Sequence, residues 1–318
     1  MQNYIEQQLK SINWNIAPEE LYQPIGYALE SGGKRIRPVL TLMACELFGG
    51  TRNEALPAAL AIEVFHNFTL LHDDVMDCAD VRRGRPTVHR KWDTNTAILS
   101  GDAMMIKAYE FLQQLPSDKL LAVLPIFTKT ALQVCEGQQY DVNFERCEEV
   151  SIDNYFEMIR KKTAVLLAAA LKIGAIVGGA TETDAQNLYN FGIEIGLAFQ
   201  LRDDYLDAFG DEKTFGKRIG GDILCGKKTF LLITALQHAD NEQRTKIKQT
   251  LADHRLPDDE KIATITATYQ QFGIPKVCEE QVNARYQQAL AALKQISGAK
   301  NSLQPFITLA AKLMGRDA

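Results

Sequence analysis

The sequence predicts an all-α protein, a many-helix bundle packed around one core. Three observations carry this. Apolar residues recur at helical spacing along nearly the whole chain, alternating β-branched runs are few, and no hairpin turn stands out. The 318 residues are 46% hydrophobic and 24% charged, enough for a substantial core. The 10 prolines and 21 glycines are scattered, so no linker separates parts, and a single domain over 1–318 is expected.

The elements follow in order. The N-terminal stretch MQNYIEQQLKSINW is amphipathic and contains an acid, unlike a secretory signal. Residues 18–30 (PEELYQPIGYALE) place Leu21, Ile25 and Leu29 in i,i+4 steps, a helical face. GGKRIRP, residues 32–38, interrupts with glycine, and its proline suits the first turn of a helix through PVLTLMACELFG. A long helix over about 54–77 comes next, then a loop over 82–90. Helices are predicted over about 93–114, 119–141, 151–178 and 184–209. GDEKTFGKRIGGD reads as a second Gly- and Lys-rich loop, and helices over 226–239, 241–252, 258–272, 275–297 and 301–314 complete the chain. The run TAVLLAAALKIGAIVGGA, 163–180, is long and apolar enough to suggest a membrane span. Lys172 in its centre and its many small residues favour a buried bundle helix.

The net charge of −5 argues against a general nucleic-acid surface. The six cysteines form no C-x-x-C pair and no Cys/His metal spacing, so they read as reduced thiols of a cytoplasmic protein.

One motif occurs twice: DDVMD at 73–77 and DDYLD at 203–207, both D-D-x-x-D after an apolar helical run. Residues four apart share a helix face, which pairs Asp73 with Asp77 and Asp203 with Asp207. Clustered like charges need a counterion. Carboxylate oxygens suit hard cations, and Mg²⁺ takes few protein carboxylates, keeps waters and is completed by substrate phosphates. A di-iron site would need two E-x-x-H motifs, and Glu63 with His66 supplies the one we find. Basic blocks accompany the acids: Lys34, Arg35 and Arg37; Arg82, Arg83 and Arg85; Lys161 and Lys162; Lys217, Arg218, Lys227 and Lys228. Arginine forks and lysine ammoniums suit phosphate oxygens.

GGKRIRP, LLHDDVMD, RRGRPTVH, GQQYD, KTA, FQLRDDYLD and FGKRIGGD…GKKT, in this order, resemble the trans-isoprenyl diphosphate synthases. The resemblance runs from residue 32 to residue 229. It implies a helical bundle around a central apolar cavity in which an allylic diphosphate is bound through Mg²⁺ ions, three in number, held between the two aspartate motifs. Its C–O bond ionises, the double bond of isopentenyl diphosphate attacks the cation, and a proton is lost to the released diphosphate. Metals and bases would stabilise the leaving group's charge, and an apolar pocket would keep water from the cation.

Carried over residue by residue, Asp73, Asp74, Asp77, Asp203 and Asp204 resemble the metal-binding set, with Asp73, Asp77 and Asp203 as direct ligands and Asp207 behind them. Arg82, Lys162, Lys217 and Lys227 match the grip on the allylic diphosphate. Lys34, Arg37, His66 and Arg83 match the isopentenyl diphosphate site. Thr163 and Gln200 resemble the polar groups near the reacting carbons, and Gln138 of GQQYD is a structural candidate. An isolated His on an apolar helix is usually a satisfied core residue. His66, however, lies seven positions before Asp73, where the family has a diphosphate-binding side chain.

The growing product should descend beneath the first acid motif, so EVFHNFTLL forms its floor. Phe68 is five residues upstream of Asp73, roughly 7–8 Å along the helix. It also lies about 140° round the wheel, as a core ring would. Thr69 beside it is small, and Phe65 offers a second barrier. An aromatic at this position with an uninterrupted motif resembles synthases making geranylgeranyl diphosphate, so a C20 product is expected over C15 or longer chains. A terpene cyclase would have a mixed Asn/Ser/Glu second motif, and a non-catalytic partner subunit would have lost aspartates. The resemblance also implies a homodimer.

Overall fold

The structure is a computed structural model describing residues 1–211, 219–253 and 255–315. Its elements are helical apart from one small hairpin. They run α1 (Gln2–Ser11), α2 (Glu19–Leu29), α3 (Ile36–Leu47), α4 (Arg52–Met76), β1 (Val81–Arg82), β2 (Arg85–Pro86), α5 (Val88–Lys91), α6 (Thr94–Leu112), α7 (Ser117–Arg146) and α8 (Ile152–Ile159). A π-helical turn, Arg160–Ala164, joins α8 to α9 (Val165–Val177). The rest is α10 (Glu182–Phe209), α11 (Gly221–Leu224), α12 (Phe230–His238), α13 (Asn241–Ala252), α14 (Asp258–Gln271), α15 (Ile274–Lys294) and α16 (Gln304–Met314). The all-α fold predicted from periodicity is the fold observed.

The chain divides into two compact units. Unit 1 comprises Met1–Lys129, Ala169–Tyr189 and Ile296–Ser302; unit 2 comprises Thr130–Ala168, Asn190–Gln295 and Leu303–Ala318. At the centre of unit 1 stands α4. A capping box starts it, with Glu54 N donating to Thr51 Oγ1 and Thr51 N donating to Glu54 Oε2. Ala55, Ala58, Ala59, Ala61, Ile62, Val64 and Phe65 are wholly buried along it. Burial on all sides makes α4 a core helix, and a ring such as Phe65 contributes about 1.5–3 kcal/mol by leaving water. The core of unit 2 gathers Phe144, Tyr155, Met158, Phe230, Ile265, Tyr269 and Cys278.

Three departures from the predicted elements have local causes. At the start of the expected loop 82–90, β1 and β2 pair antiparallel, Val81 with Pro86 and Arg82 with Arg85. The turn residues Arg83 and Gly84 both have positive φ, 53° and 74°, as a two-residue type I′ hairpin requires. The expected helix 151–178 is interrupted by the π turn. The helix expected from 226 begins at Phe230, where Thr229 Oγ1 accepts from Leu232 N as the N-cap.

The apolar run 163–180 is core. Ala168–Leu171, Ile173 and Ala175 are wholly buried, and Lys172 Nζ donates to Glu182 Oε1 at 2.6 Å and Gln186 Oε1 at 2.8 Å. By length and composition, α7 alone among the described residues could cross a membrane, a property it shares with core helices of soluble proteins.

Candidate active site

Each unit carries one aspartate motif with its own basic side chains. In unit 1, Asp73 and Asp77 lie at the C-terminal end of α4; Asp73 is half-buried and Asp77 exposed. Asp74, one residue and about 100° away on the helix, is buried. Arg82 grips it as a fork, Nε to Oδ1 at 2.7 Å and Oδ2 at 2.9 Å, and Nη2 to Oδ1 at 2.7 Å. The first motif therefore splits into two accessible carboxylates and one that positions an arginine of the hairpin.

Arg83, held by the turn, reaches the 31–33 loop. Its Nη1 donates to Gly32 O and to Ser31 Oγ. Its guanidinium lies flat on Gly33, where a Cβ would come within 2.8–2.9 Å of it. On the same loop Lys34 is exposed, and Arg37 Nη1 stands 3.1 Å from His66 Nε2 on α4. Arginine can only donate, so His66 Nε2 accepts and its proton sits on Nδ1. Burial, then the charges of Arg37, Arg83 and Arg82, holds His66 well below the ordinary histidine range. Burial also lowers Arg37 to about 10, leaving it charged at neutral pH. The structure thus brings Arg37, His66 and Arg83 together as a neutral imidazole among guanidiniums, a natural seat for a polyanion.

Arg35, between these residues, points the other way. It is 3% exposed, has φ 47°, and donates to Glu6 Oε1, Glu63 Oε1 and the Leu29 carbonyl. Asn67 Nδ2 completes the knot on Glu63. The Glu63 of the E-x-x-H pattern is therefore the counterion of Arg35.

Below the motif, Phe68 is 7% exposed and Phe65 wholly buried. Phe68 packs on His72 (4.8 Å between centroids) and Phe65 (5.4 Å), and Phe65 meets Phe127 edge-on at 5.4 Å. Thr69 Oγ1 is tied to His66 O at 2.8 Å. Of the three residues expected to set chain length, Phe65 and Phe68 thus belong to one cluster of rings, while Thr69 turns its hydroxyl back to its own helix.

In unit 2 the π turn carries RKKTA. Lys161 pairs with Glu136 and Glu157, whereas Lys162 Nζ reaches Asp141 Oδ2 at 2.6 Å. Thr163 Oγ1 donates to Gln200 Oε1 at 3.2 Å. Two glycines seat this turn. A Cβ on Gly137 of α7 would lie 2.3 Å from Lys162 N, and one on Gly196 of α10 would lie 2.6 Å from Ala164 Cα. Gln138, next to Gly137, buries its Oε1 without a partner.

The second motif also splits. Asp203 is half-buried. Asp204 is 5% exposed and accepts from Gln200 Nε2 (3.0 Å), Tyr155 OH (2.7 Å) and Phe230 N (3.3 Å). Burial and the Asp222 charge push its carboxyl up to about 7, while the bonds from Tyr155 and Gln200 pull it back. Asp207 accepts from Asp222 N at 2.9 Å, and Lys227 lies 3.7 Å from Asp222. Lys217 falls outside the described residues.

Sequence motifs did not single out Asp141, Tyr155 or Glu63 as partners. Asp141 had a signal, since it closes GQQYD. Tyr155 had none beyond its place on the buried face of α8. Among the described residues no group of three or more His, Cys, Asp or Glu side chains converges as a metal cage. The carboxylate oxygens of Asp73 and Asp77 in unit 1, and those of Asp203 in unit 2, are of the donor type that suits a hard divalent cation completed by water and phosphate oxygens.

A family model described as Polyprenyl synthetase matches residues 18–269. The chain is 45% identical over 222 residues to a geranylgeranyl diphosphate synthase of Methanosarcina mazei, covering 69% of this chain and 68% of the relative. It is 36% identical over 274 residues to a geranylfarnesyl diphosphate synthase of Natronomonas pharaonis, covering 80% and 78%. A crystal structure of a geranylgeranyl pyrophosphate synthase superposes with a TM-score of 0.94 at 45% identity, over 100% of this chain and 98% of that one. The chain belongs to the polyprenyl synthetase family and is a prenyltransferase.

Proposed function

We propose that this prenyltransferase condenses isopentenyl diphosphate with an allylic diphosphate to make geranylgeranyl diphosphate, the 1–318 chain working as one synthase domain. The observation that carries the reading is the seat in unit 1 where Arg37, a neutral His66 and Arg83 converge, with Lys34 on the same loop. Three cationic side chains, with the imidazole Nδ1–H as a further donor, suit the diphosphate of the attacking substrate. Arg82, Lys162, Lys217 and Lys227 would hold the allylic diphosphate.

Asp73, Asp77 and Asp203 would hold divalent ions, Mg²⁺ by donor chemistry and three by family analogy. Bound there, these ions would take up negative charge as the diphosphate leaves. The chain's own part is to orient both substrates, to present Thr163 and Gln200 to the reacting carbons, and to exclude water from the cation. The proton lost at the end goes to the departing diphosphate, since no side chain here is asked to act as base.

The ring wall of Phe68 and Phe65 supports a C20 product. The geranylfarnesyl relative keeps one further isoprene unit as a second reading. We also infer a cytoplasmic homodimer. Support comes from six unbridged thiols and from exposed Ile98, Leu99 and Ile106 on α6 and Leu121 on α7, apolar side chains suited to a second copy. The deciding experiment incubates the protein with Mg²⁺, isopentenyl diphosphate and each allylic primer and resolves product lengths. C20 as the main product is expected; no product with any primer would overturn the proposal.

A further inference from the structure

Asp203 and Asp204 are neighbours in one motif, yet their surroundings differ. A ligand to a hard cation must offer a lone pair to an ion that also reaches substrate oxygens. Asp204 spends its oxygens on the interior. Oδ1 accepts from Gln200 Nε2, and Oδ2 accepts from the Tyr155 hydroxyl and from Phe230 N. Tyr155 is 1% exposed, and Phe230 3%.

We infer that Asp204 and Tyr155 are positioning residues that fix the Gln200 amide, and through it the Thr163 hydroxyl. The inference rests on the proposed placing of Thr163 and Gln200 at the reacting carbons.

The chemistry runs along the chain of bonds. A carboxylate accepts, so the Gln200 NH₂ must face Asp204 and its carbonyl oxygen must face Thr163. The Thr163 hydroxyl then has to donate to Gln200, 3.2 Å away. That leaves the hydroxyl oxygen's lone pairs available to an electron-poor partner, such as an allylic cation. Tyr155 anchors the far side of Asp204 by a 2.7 Å bond, and Phe230 N holds it from α12.

Replacing Asp204 by Asn gives that site an NH₂ of its own. The Gln200 amide can then turn over, and the polarity presented by Thr163 reverses. Tyr155→Phe removes one anchor but leaves the acceptor facing Gln200, so its effect is smaller.

The test uses the full chain at pH 8 with isopentenyl diphosphate and an allylic primer, measuring kcat, both KM values and the Mg²⁺ midpoint for wild type, Asp204→Asn, Tyr155→Phe and Asp203→Asn. For Asp204→Asn the expected result is a kcat lower by about 10²-fold. Its Mg²⁺ midpoint and its KM for isopentenyl diphosphate should stay near wild type. Asp203→Asn should shift the Mg²⁺ midpoint. A shift in Asp204→Asn equal to that of Asp203→Asn, or an unchanged kcat, overturns the inference. Should Asp204→Asn not fold by circular dichroism, Tyr155→Phe decides: a several-fold lower kcat at an unchanged Mg²⁺ midpoint supports it, and full activity sinks it. A wild type that makes no prenyl product overturns the synthase proposal and this inference together, whereas an active wild type with a fully active Asp204→Asn overturns the inference alone.

Discussion

Arg35 Nη1 and Glu63 Oε1 meet at 2.6 Å inside unit 1, with side chains 1% and 3% exposed. A buried pair of this kind holds register more than it adds stability, but breaking it strands a charge. It ties the GGKRIRP loop to α4, the helix that carries His66, and Arg37 follows two residues on. Glu63→Ala should therefore cost about 3–5 kcal/mol of stability. If Glu63→Gln folds, it should raise the KM for isopentenyl diphosphate more than that for the allylic primer. Thermal melts and steady-state kinetics check the two parts separately.

Phe68 forms the upper ring of the aromatic wall. Phe68→Ala should lengthen the main product by one or more isoprene units and lower stability by about 3–5 kcal/mol. Phe68→Leu should do less of both. Chromatography of the dephosphorylated products reads the first effect, and denaturant titration the second.

His66 makes stability depend on pH in one direction. Its folded pKa lies well below its ordinary value. Above about pH 6.5 neither state binds the proton, and His66 adds no slope. Below that, the unfolded chain takes up a proton that the native chain refuses. Stability then falls with pH by up to about 1.4 kcal/mol per unit until the folded pKa is reached. Denaturant curves at pH 5.5 and 7.5 should show a larger loss for wild type than for His66→Gln.

Gly137 lets α7 approach the π turn backbone to backbone. Gly137→Ala should push the turn aside, because the added carbon would lie 2.3 Å from Lys162 N. A displacement near 1 Å can cost about 10²-fold in rate. The expected outcome is a large fall in kcat at an unchanged KM for isopentenyl diphosphate, since the seat proposed for that substrate is built from residues of unit 1. Steady-state kinetics on both substrates would show it.

Much of this was legible in the residues. Apolar i,i+4 spacing marked most helices, and the doubled D-D-x-x-D marked both acid clusters. The inward turn of Asp74 and Asp204 was not: the resemblance put both in the metal-binding set, and the step of about 100° from the aspartate before each separates their faces without saying which is buried. The hairpin was not, since two-residue strands are too short to show alternation, although Arg83-Gly84 is a turn dipeptide. Nothing in RKKTA announces a π turn. The glycines that make room for it, Gly137 and Gly196, are more than twenty residues away on either side, and such an approach has no local periodicity. Tyr155 and Glu63 were hidden for the same reason: their partners are distant in sequence.

The π turn has one further consequence, for the phase of the helix. It takes in one residue more than an α turn, so everything after it is rotated by about 100° relative to an uninterrupted helix. Deleting a single residue within 160–164 would leave a more regular rod that still buries small apolar side chains, yet it would carry a lysine and a threonine on the wrong side. Such a chain would also lose packing, because Gly174 and Gly178 meet the backbone of Thr41 and Cys45 where no Cβ fits. Single-residue insertions and deletions along this rod should therefore cost both fold and activity, and the irregular turn sets the phase that satisfies the two at once.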